Sequence, residues 1–476
     1  MSNDDINLPK MAETDPNKTK VTDELESQGV DFKTEPSADI DNNNIFNQGG
    51  KDYRTLGRKD MILILYTNQF GLGILSLPSA LRTLGLVPGI IAIFGIGCMT
   101  WYTAYELLQY YRRHPQVVNI VDMARVLGGP KLELVVGFMM LLQVIFFAAS
   151  SVVTISIALN SISAHATCTI VFILVACFGC YLLSIPRSMK FLSYTGIPNA
   201  VSVFAATMVA IVAIGVKGPA VAPPNWTKEI AVIGHPNFRD GFNACLRIAY
   251  AYAGNVVFPG YMAEMRDPSK DFGFCLATLE IGSMILFSLT AAILYGLAGQ
   301  YTSSPILGAA PVISAKVAYG LILPAVFATG LTYGHTGPKY VYVGLMRKMG
   351  AIHQITDNSL KSWGTWIGCV SVFWVIVFIL ANVIPVFDSI LSITSATTIA
   401  WFSYGFSALF WFHLNWNSLQ GWRKISLAIV NVLLILVSLF MNGAGLWAAI
   451  TELLDIFQTE GSSVRGVFSC GNNALF

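Results

Sequence analysis

Asn68-Gln69-Phe70-Gly71-Leu72-Gly73-Ile74-Leu75-Ser76-Leu77-Pro78 lies inside the first long apolar run of the chain, with two glycines at its middle and a proline a turn later. Lipid offers no partners to free backbone groups, so a crossing interrupted in this way is tolerated only where it lines a cavity or is buried by other helices. A second stretch has the same character. Ala249-Tyr250-Ala251-Tyr252-Ala253-Gly254-Asn255-Val256-Val257-Phe258-Pro259-Gly260 breaks near the middle of the sixth apolar run. Small residues also allow close helix packing in membranes, but the matched positions, first and sixth, favour a site.

Outward from these stretches, a crossing helix needs about 20 mostly apolar residues. By that measure eleven segments emerge: Met61 to Leu84, Val87 to Tyr110, Leu132 to Leu159, Thr167 to Ile185, Tyr194 to Val216, Gly241 to Ala263, Gly273 to Ala298, Ala310 to Tyr333, Trp363 to Ile384, Phe387 to Phe412 and Ile425 to Ile450. The eighth is interrupted by Pro311, Lys316 and Pro324. Breaks at positions one and six are what two inverted five-helix repeats predict, each giving its first helix to a shared midplane site. The expected fold is an all-α polytopic membrane protein of about 11 transmembrane helices. Residues 61–216 form repeat one, 241–412 repeat two and 425–450 an added helix, within a transmembrane domain over 60–450.

Composition agrees. Of 476 residues 54% are apolar and 12% charged, with a mean hydropathy of +0.60, whereas soluble proteins carry about twice that charge. This excludes a soluble multidomain enzyme, a disulfide scaffold and a nucleic-acid binder. The charges that exist are concentrated in residues 1–59, which hold 12 acids and 8 bases and no apolar periodicity. Such a segment cannot bury enough surface to offset its ordering entropy, so a disordered cytosolic tail is expected there. No cleaved signal peptide is expected, because the first apolar run begins only at Met61.

Basic residues fix the orientation. With a cytosolic N-terminus, the inside loops carry Arg58, Lys59, Arg112, Arg113, Arg125, Lys131, Arg187, Lys190, Arg266, Lys270, Lys339, Arg347, Lys348, Lys361, Arg423 and Lys424, among others, against Lys217, Lys228, Arg239 and Arg465 outside. The bias supports that orientation and an extracytosolic C-terminal tail over 451–476. The sequon Asn225-Trp226-Thr227 falls in the longest external loop, where a glycosyltransferase could reach it, and Asn225 is the expected acceptor. A second sequon, at Asn17, stays cytosolic and silent. Cys98, Cys177, Cys180, Cys275 and Cys369 sit in apolar runs and read as inert, and no metal site is expected.

At the first break, an inner half-helix ends in carbonyls near Asn68 to Phe70, and an outer one begins with amides around Gly71, Gly73, Ile74 and Leu75. Those amides and the helix dipole suit an α-carboxylate, while carbonyls near Tyr252 and Ala253, beside Gly254 and Asn255, suit an α-ammonium. A zwitterion fits such a site. No charged side chain lies within either break, so a neutral substrate side chain is expected, with Tyr250, Tyr252, Phe146 and Phe147 as its apolar wall.

The same residues resemble the amino acid/auxin permeases, secondary amino acid transporters of the leucine-transporter fold, and are closest to fungal neutral amino acid permeases. Gly71-Leu72-Gly73-Ile74-Leu75-Ser76-Leu77-Pro78 is similar to that family's G-x-G-I-L-x-L-P signature. Ala249 to Pro268, with Phe258-Pro259 and Ala263-Glu264-Met265-Arg266-Asp267-Pro268, is similar to its F-P and E-M-x-x-P pattern. Family members often place His after the sixth-helix glycine; this chain has Asn255. The resemblance implies alternating-access transport of neutral L-amino acids by proton symport, with no cofactor.

Ionisable groups inside spans are costly and mark ion pathways. Glu280 reads either as a protonatable switch or as an ion pair at the inner face. Glu106, Asp388 and His413 are expected to reach the interface, and Arg82 and Lys316 to snorkel. Na⁺ held by first-break carbonyls with Thr329 or Thr332 is the alternative coupling ion. A multispan acyl or glycosyl transferase would need clustered His, Asp or Glu at one membrane face, and His114, His165, His235, His335, His353 and His413 are scattered. The reading is a transporter in the lipid bilayer, at the plasma membrane in preference to the vacuole, with a neutral amino acid as its partner.

Overall fold

The computed structural model describes residues 54, 56–187, 190–223, 225–351, 359–458 and 466–473. Most of the N-terminal tail, Asn17 included, lies outside them. Seven helices are long and apolar enough to cross a membrane: Leu86–Arg113, Ile120–Ser163, Pro198–Lys217, Pro268–Tyr301, Val312–Lys348, Leu360–Val383 and Trp422–Gln458. Between them stand one shorter apolar helix, Thr169–Ser184, and three interrupted ones. These are Arg58–Gln69 with Leu77–Leu84, Phe238–Ala251 with Phe258–Glu264, and Phe387–Thr394 with Phe406–Asn415. In chain order they make eleven crossings, spans 1 to 11, and the molecule is all-α among the described residues. The near face is the one at which span 1 begins, and the far face is its opposite.

The interruptions follow from residue chemistry. In span 1 the α-helix stops at Gln69, Gly71 adopts a non-helical backbone (φ −113°, ψ −147°), and a single 3-10 turn, Leu72–Leu75, leads into a helix with Pro78 in its first turn, where a missing N–H costs nothing. Span 6 repeats this pattern: Phe238–Ala251 ends, residues 252–257 turn, and Phe258–Glu264 restarts with Pro259 in its first turn. Span 10 is interrupted differently, by a π-helical stretch, Ser395–Gly405.

The bounds of three spans need correction. Span 8 is not cut at Pro311 or Pro324: Pro311 is its N-cap, and the helix runs on through Pro324 and Pro338 to Lys348, fifteen residues beyond Tyr333. Neighbouring helices can satisfy the carbonyls that a membrane proline frees. Span 11 starts earlier than Ile425 and ends later than Ile450, with a π turn, Met441–Gly445, inside it. Span 3 starts at Ile120, where Asn119 Oδ1 accepts from the Asp122 amide, and it changes direction at Gly128 and Gly129.

Polar residues at the span ends join helices. Glu106 is 3% exposed, packed inside the protein and not at the interface. The His413 imidazole hydrogen-bonds the Tyr110 hydroxyl at 3.2 Å. The Arg82 guanidinium donates to the Thr302 carbonyl at 2.7 Å. Asp388 also fails to reach water freely: one of its oxygens lies 2.7 Å from Arg247 Nη1 and the other accepts from the Ser304 hydroxyl. Arg247 also pairs with Glu452 at 3.1 Å, so this cation, 5% exposed, ties spans 6, 10 and 11 together at the far face.

At the near face, the Leu56 amide donates to the Glu264 carbonyl (3.2 Å), the Arg266 amide donates to the Leu56 carbonyl (3.1 Å), and Arg58 pairs with Asp271 at 2.5 Å. At the far face the connection between spans 5 and 6 docks on the corner between spans 1 and 2, with Leu86 and Val87 donating to the carbonyls of Ala231 and Val232. Gly85 makes this docking possible. Its φ is +89°, and a Cβ there would stand 2.2 Å from the Gly234 nitrogen. Gly85→Val is therefore expected to destabilise the protein by at least about 1–2 kcal/mol, the cost of a left-handed backbone for an L-residue, before the clash is counted. A lower thermal-aggregation midpoint of the purified protein checks this; an unchanged midpoint would contradict the docking.

A candidate substrate site between two interrupted spans

The two interruptions touch. Gly73, in the 3-10 turn, packs so closely on span 6 that a Cβ would lie 2.7 Å from the Ala251 Cα. Gly254 is equally confined, since its Cβ would stand 2.9 Å from Gln69 Oε1 and 2.8 Å from the Phe258 ring. Span 1 and span 6 thus meet through main chain. Gly71 borders open space instead, with only the Asn68 carbonyl at 4.0 Å from a built Cβ. Asn68, Phe70, Ala253 and Val256 are half-buried, whereas Ile74 and Leu75 are buried.

Main-chain groups are left over at both breaks. In a 3-10 turn capped by Gly71, bonds of the i to i+3 kind engage the amides of Ile74 and Leu75 and leave those of Leu72 and Gly73 ahead of the first bond. In span 6 the Gly254 amide donates to the Tyr252 carbonyl at 2.9 Å, and Ala253 donates to Tyr250 at 3.2 Å. Among the described residues, the Ala253 carbonyl and the amides of Asn255 and Val256 have no backbone partner. These loose groups suit a small dipolar ligand, because donors and an acceptor stand at two breaks that pack against each other.

The aromatic residues divide into two sets. Tyr250 meets Phe147 edge-on at 5.3 Å, and Phe147 lies 4.7 Å from Tyr333, so spans 3, 6 and 8 form one wall, held by a 2.8 Å hydrogen bond between the hydroxyls of Tyr250 and Ser150. Phe146 is buried on the same helix. Tyr252 faces the other way, edge-on to Phe287 at 5.2 Å in span 7, and its hydroxyl lies 3.0 Å from a Cβ built on Gly97 in span 2.

Asn255 is fully buried and donates to Thr103 Oγ1 (3.0 Å) and to the Ser403 carbonyl (3.1 Å), which stitches the span 6 break to spans 2 and 10. Neither partner is legible in the sequence. Ser403 lies in the π stretch, whose loosened carbonyls are also met from span 11: Asn442 donates to Ala396 and Thr397, and Ser438 donates to Ala400 at 2.9 Å.

Glu280 is fully buried in span 7, and neither carboxylate oxygen has a hydrogen-bond partner. No basic group pairs with it among the described residues, which removes the ion-pair reading. Tyr66, Tyr252 and Tyr404 lie within its electrostatic reach. Thr329 and Thr332 spend their hydroxyl protons on carbonyls of their own helix, Ala325 at 2.9 Å and Ala328 at 2.8 Å, with lone pairs left over. Gln69, 6% exposed with an unpartnered Nε2, is a polar residue of this centre that the sequence reading passed over. Asn225, at the far face, is exposed.

Interrupted crossings that meet around leftover main-chain dipoles define a membrane carrier of the leucine-transporter fold. The solved structure of Mhp1, a nucleobase-cation-symport-1 family transporter, in a closed conformation with bromovinylhydantoin bound, shares this fold, with a TM-score of 0.54 and 15% identity over 85% of this chain and 92% of that one. Residues 54–451 match the model of the transmembrane amino acid transporter protein family, and the chain belongs to that family. A Neurospora crassa protein, the N amino acid transport system protein, is 30% identical over 89% of this chain and 90% of its own length. Transmembrane transporters of Gibberella moniliformis and Fusarium pseudograminearum are 28% and 27% identical, over 90% and 96% of this chain and the same shares of theirs.

A side chain at residue 73 would strike main chain whether or not substrate binds, so Asn255 gives the cleaner test of the centre. Asn255→Ala removes two donated bonds and strands the Ser403 carbonyl, at roughly 1–3 kcal/mol. A lower thermal midpoint and slower amino acid uptake are expected, and unchanged values of both would show that this stitch is dispensable.

Proposed function

We propose that this chain carries neutral L-amino acids across a membrane by alternating access, in symport with protons. One observation supports this most: two interrupted crossings meet at mid-depth with unpaired amides and a carbonyl, and neither break contains a charged side chain. The α-carboxylate would rest on the amides of Leu72 and Gly73, reached past Asn68 and Gly71, with Ile74 and Leu75 holding the turn. The α-ammonium would face the Ala253 carbonyl. Tyr250, Phe147 and Tyr333 would wall the side chain, and an uncharged lining penalises a charged one, because a buried charge needs a partner.

Glu280 supplies the coupling in this reading. A carboxyl buried without a cation is costly in its charged form. Proton entry and substrate binding would then be linked through one helix. Repeat one, residues 61–216, and repeat two, 241–412, would rock about this centre. The near face is read as cytosolic from its excess of Arg and Lys, and the far face, with exposed Asn225, as extracytosolic at the plasma membrane.

Two measurements test the proposal. In vesicles, uptake of a labelled neutral amino acid should saturate, should be competed by other neutral but not by charged amino acids, and should fall several-fold with a proton uncoupler. Dependence on Na⁺ in place of the proton gradient would move the coupling to Thr329 and Thr332. Glu280→Gln should abolish the stimulation of uptake by external acid while substrate exchange continues. An unchanged pH dependence in that variant removes Glu280 from the mechanism.

A further inference from the structure

Among the described residues Glu106, like Glu280, is a carboxyl buried without a cation. It lies in span 2, seven residues before Arg113 and so about 10 Å along the helix from the near-face end, and it is almost wholly enclosed. Neither of its oxygens meets a donor at hydrogen-bond geometry. Two side chains stand within its electrostatic reach: Tyr102, one turn back on the same helix, and Asn431 of span 11. The titratable groups of the surrounding helices are engaged elsewhere. On span 10, His413 hydrogen-bonds Tyr110 one turn closer to the near face, and the Tyr404 hydroxyl lies 3.4 Å from Thr100 Oγ1. Glu280 of span 7 acts on Tyr66, Tyr252 and Tyr404, Glu264 of span 6 acts on Tyr261 and faces Lys339, and Lys424 of span 11 donates to Ser418 at 2.6 Å.

Asn431 decides which form of the carboxyl fits. It is fully buried, and its Nδ2 spends both hydrogens, one on the Tyr102 hydroxyl at 2.9 Å and one on the Leu427 carbonyl of its own helix at 3.0 Å. Its Oδ1 is buried without a partner. An Asn amide carries two N–H donors and an acceptor oxygen, so all that Asn431 has left for Glu106 is an acceptor. Turning the amide over would forfeit both existing bonds and set Oδ1 against the Leu427 carbonyl. A carboxylate beside Oδ1 would put two acceptors together with no proton between them, in a place where an unpaired charge is costly. A carboxylic acid fits. Glu106 then donates its O–H to Asn431 Oδ1, Tyr102 donates its hydroxyl proton to the other Glu106 oxygen, and Asn431 Nδ2 donates to Tyr102. Each member gives one proton to the cycle and takes one, and all three orphaned oxygens find the partner that buried polar atoms need.

We propose that Glu106 is a second proton-holding site of this protein: kept as the neutral acid, it closes a cycle of three hydrogen bonds with Tyr102 and Asn431 that fastens span 2 to span 11. Ionisation would break the Oε–H bond, pass the proton to water and leave acceptors facing each other across that seam. The seam bears on the centre from both sides. Thr103, three residues before Glu106, accepts from Asn255 at the span 6 break, and span 11 holds the π stretch of span 10 through Ser438. The cycle itself does not depend on the transport reading; its effect on uptake rests on that reading.

The experiment uses full-length protein reconstituted in lipid vesicles. Infrared spectra at neutral pH should show a protonated-carboxyl C=O band that E106Q removes and E280Q leaves in place. N431A should shift that band, because it takes away the acceptor of the O–H. Gln offers Tyr102 a carbonyl and Asn431 an N–H, so E106Q should keep the thermal midpoint and the amino acid uptake of the wild type, whereas E106A should lower the midpoint and slow uptake several-fold. A spectrum from which E106Q removes no band overturns the proposal. So does a band that N431A leaves unmoved, and equal behaviour of E106Q and E106A in midpoint and uptake overturns the fastening of spans 2 and 11. If E106A fails to reach the membrane, the spectra of the wild type, E106Q and N431A decide. If no form takes up amino acid, the transport reading fails, while the infrared band still tests the neutral acid and its partner.

Discussion

The fold depends on one constraint: a peptide group inside a bilayer must find its hydrogen bond within the protein. Nine of the eleven crossings meet it with helical bonds alone or with few exceptions. The breaks in spans 1 and 6 do not, and they are placed where each covers the other, with Gly73 against Ala251 and Gly254 beside Gln69. The leftover dipoles are consequently confined to the contact between two spans, shielded from lipid by spans 2, 3, 7, 8 and 10. A defect that would be prohibitive at the periphery is tolerable at the centre.

The cover extends outward by specific polar contacts. Asn255 fixes the span 6 turn to spans 2 and 10, and Asn442 and Ser438 of span 11 meet the widened carbonyls of span 10. Arg247 then fastens the far-face half of span 6 to Asp388 and Glu452. Removing one member of a buried ion network strands the others, typically at about 3–5 kcal/mol, so this cluster sets how independently the three spans can move. Glu280 stands apart from it. Among the described residues it has no basic partner, unlike Asp388 and Glu452.

Much of this was legible in the sequence, because lipid imposes a length and a composition on every crossing. The number of spans and the residues at which spans 1 and 6 lose their helix could be read from Gly71, Gly73, Pro78, Gly254 and Pro259 and from the spacing of apolar runs. The contacts that make a centre of them could not. Asn255 looks the same in a sequence whether it faces Thr103 or lipid. Arg247 reads as a residue near a span end until Asp388 and Glu452, 141 and 205 residues away, are folded against it. The direction of Tyr252, away from Phe147 and toward Phe287, depends on where the turn leaves its Cα. The prolines of span 8 suggested an interruption because local sequence shows the lost donor and not the neighbours that compensate for it.

The π stretch of span 10 has a consequence of another kind. Bonds of the i to i+5 type lodge more residues in each coil than the 3.6 of an α-helix, so Ser395–Gly405 behaves as a stored insertion. Deleting one residue there would let the helix relax into ordinary winding with its ladder intact, yet each residue removed turns what lies beyond it by about 100° around the axis. Ser403 would swing off Asn255 while the hydropathy of the segment hardly changed. Among descendants of this sequence, length polymorphism in span 10 would therefore disturb the core more than most substitutions on its lipid side.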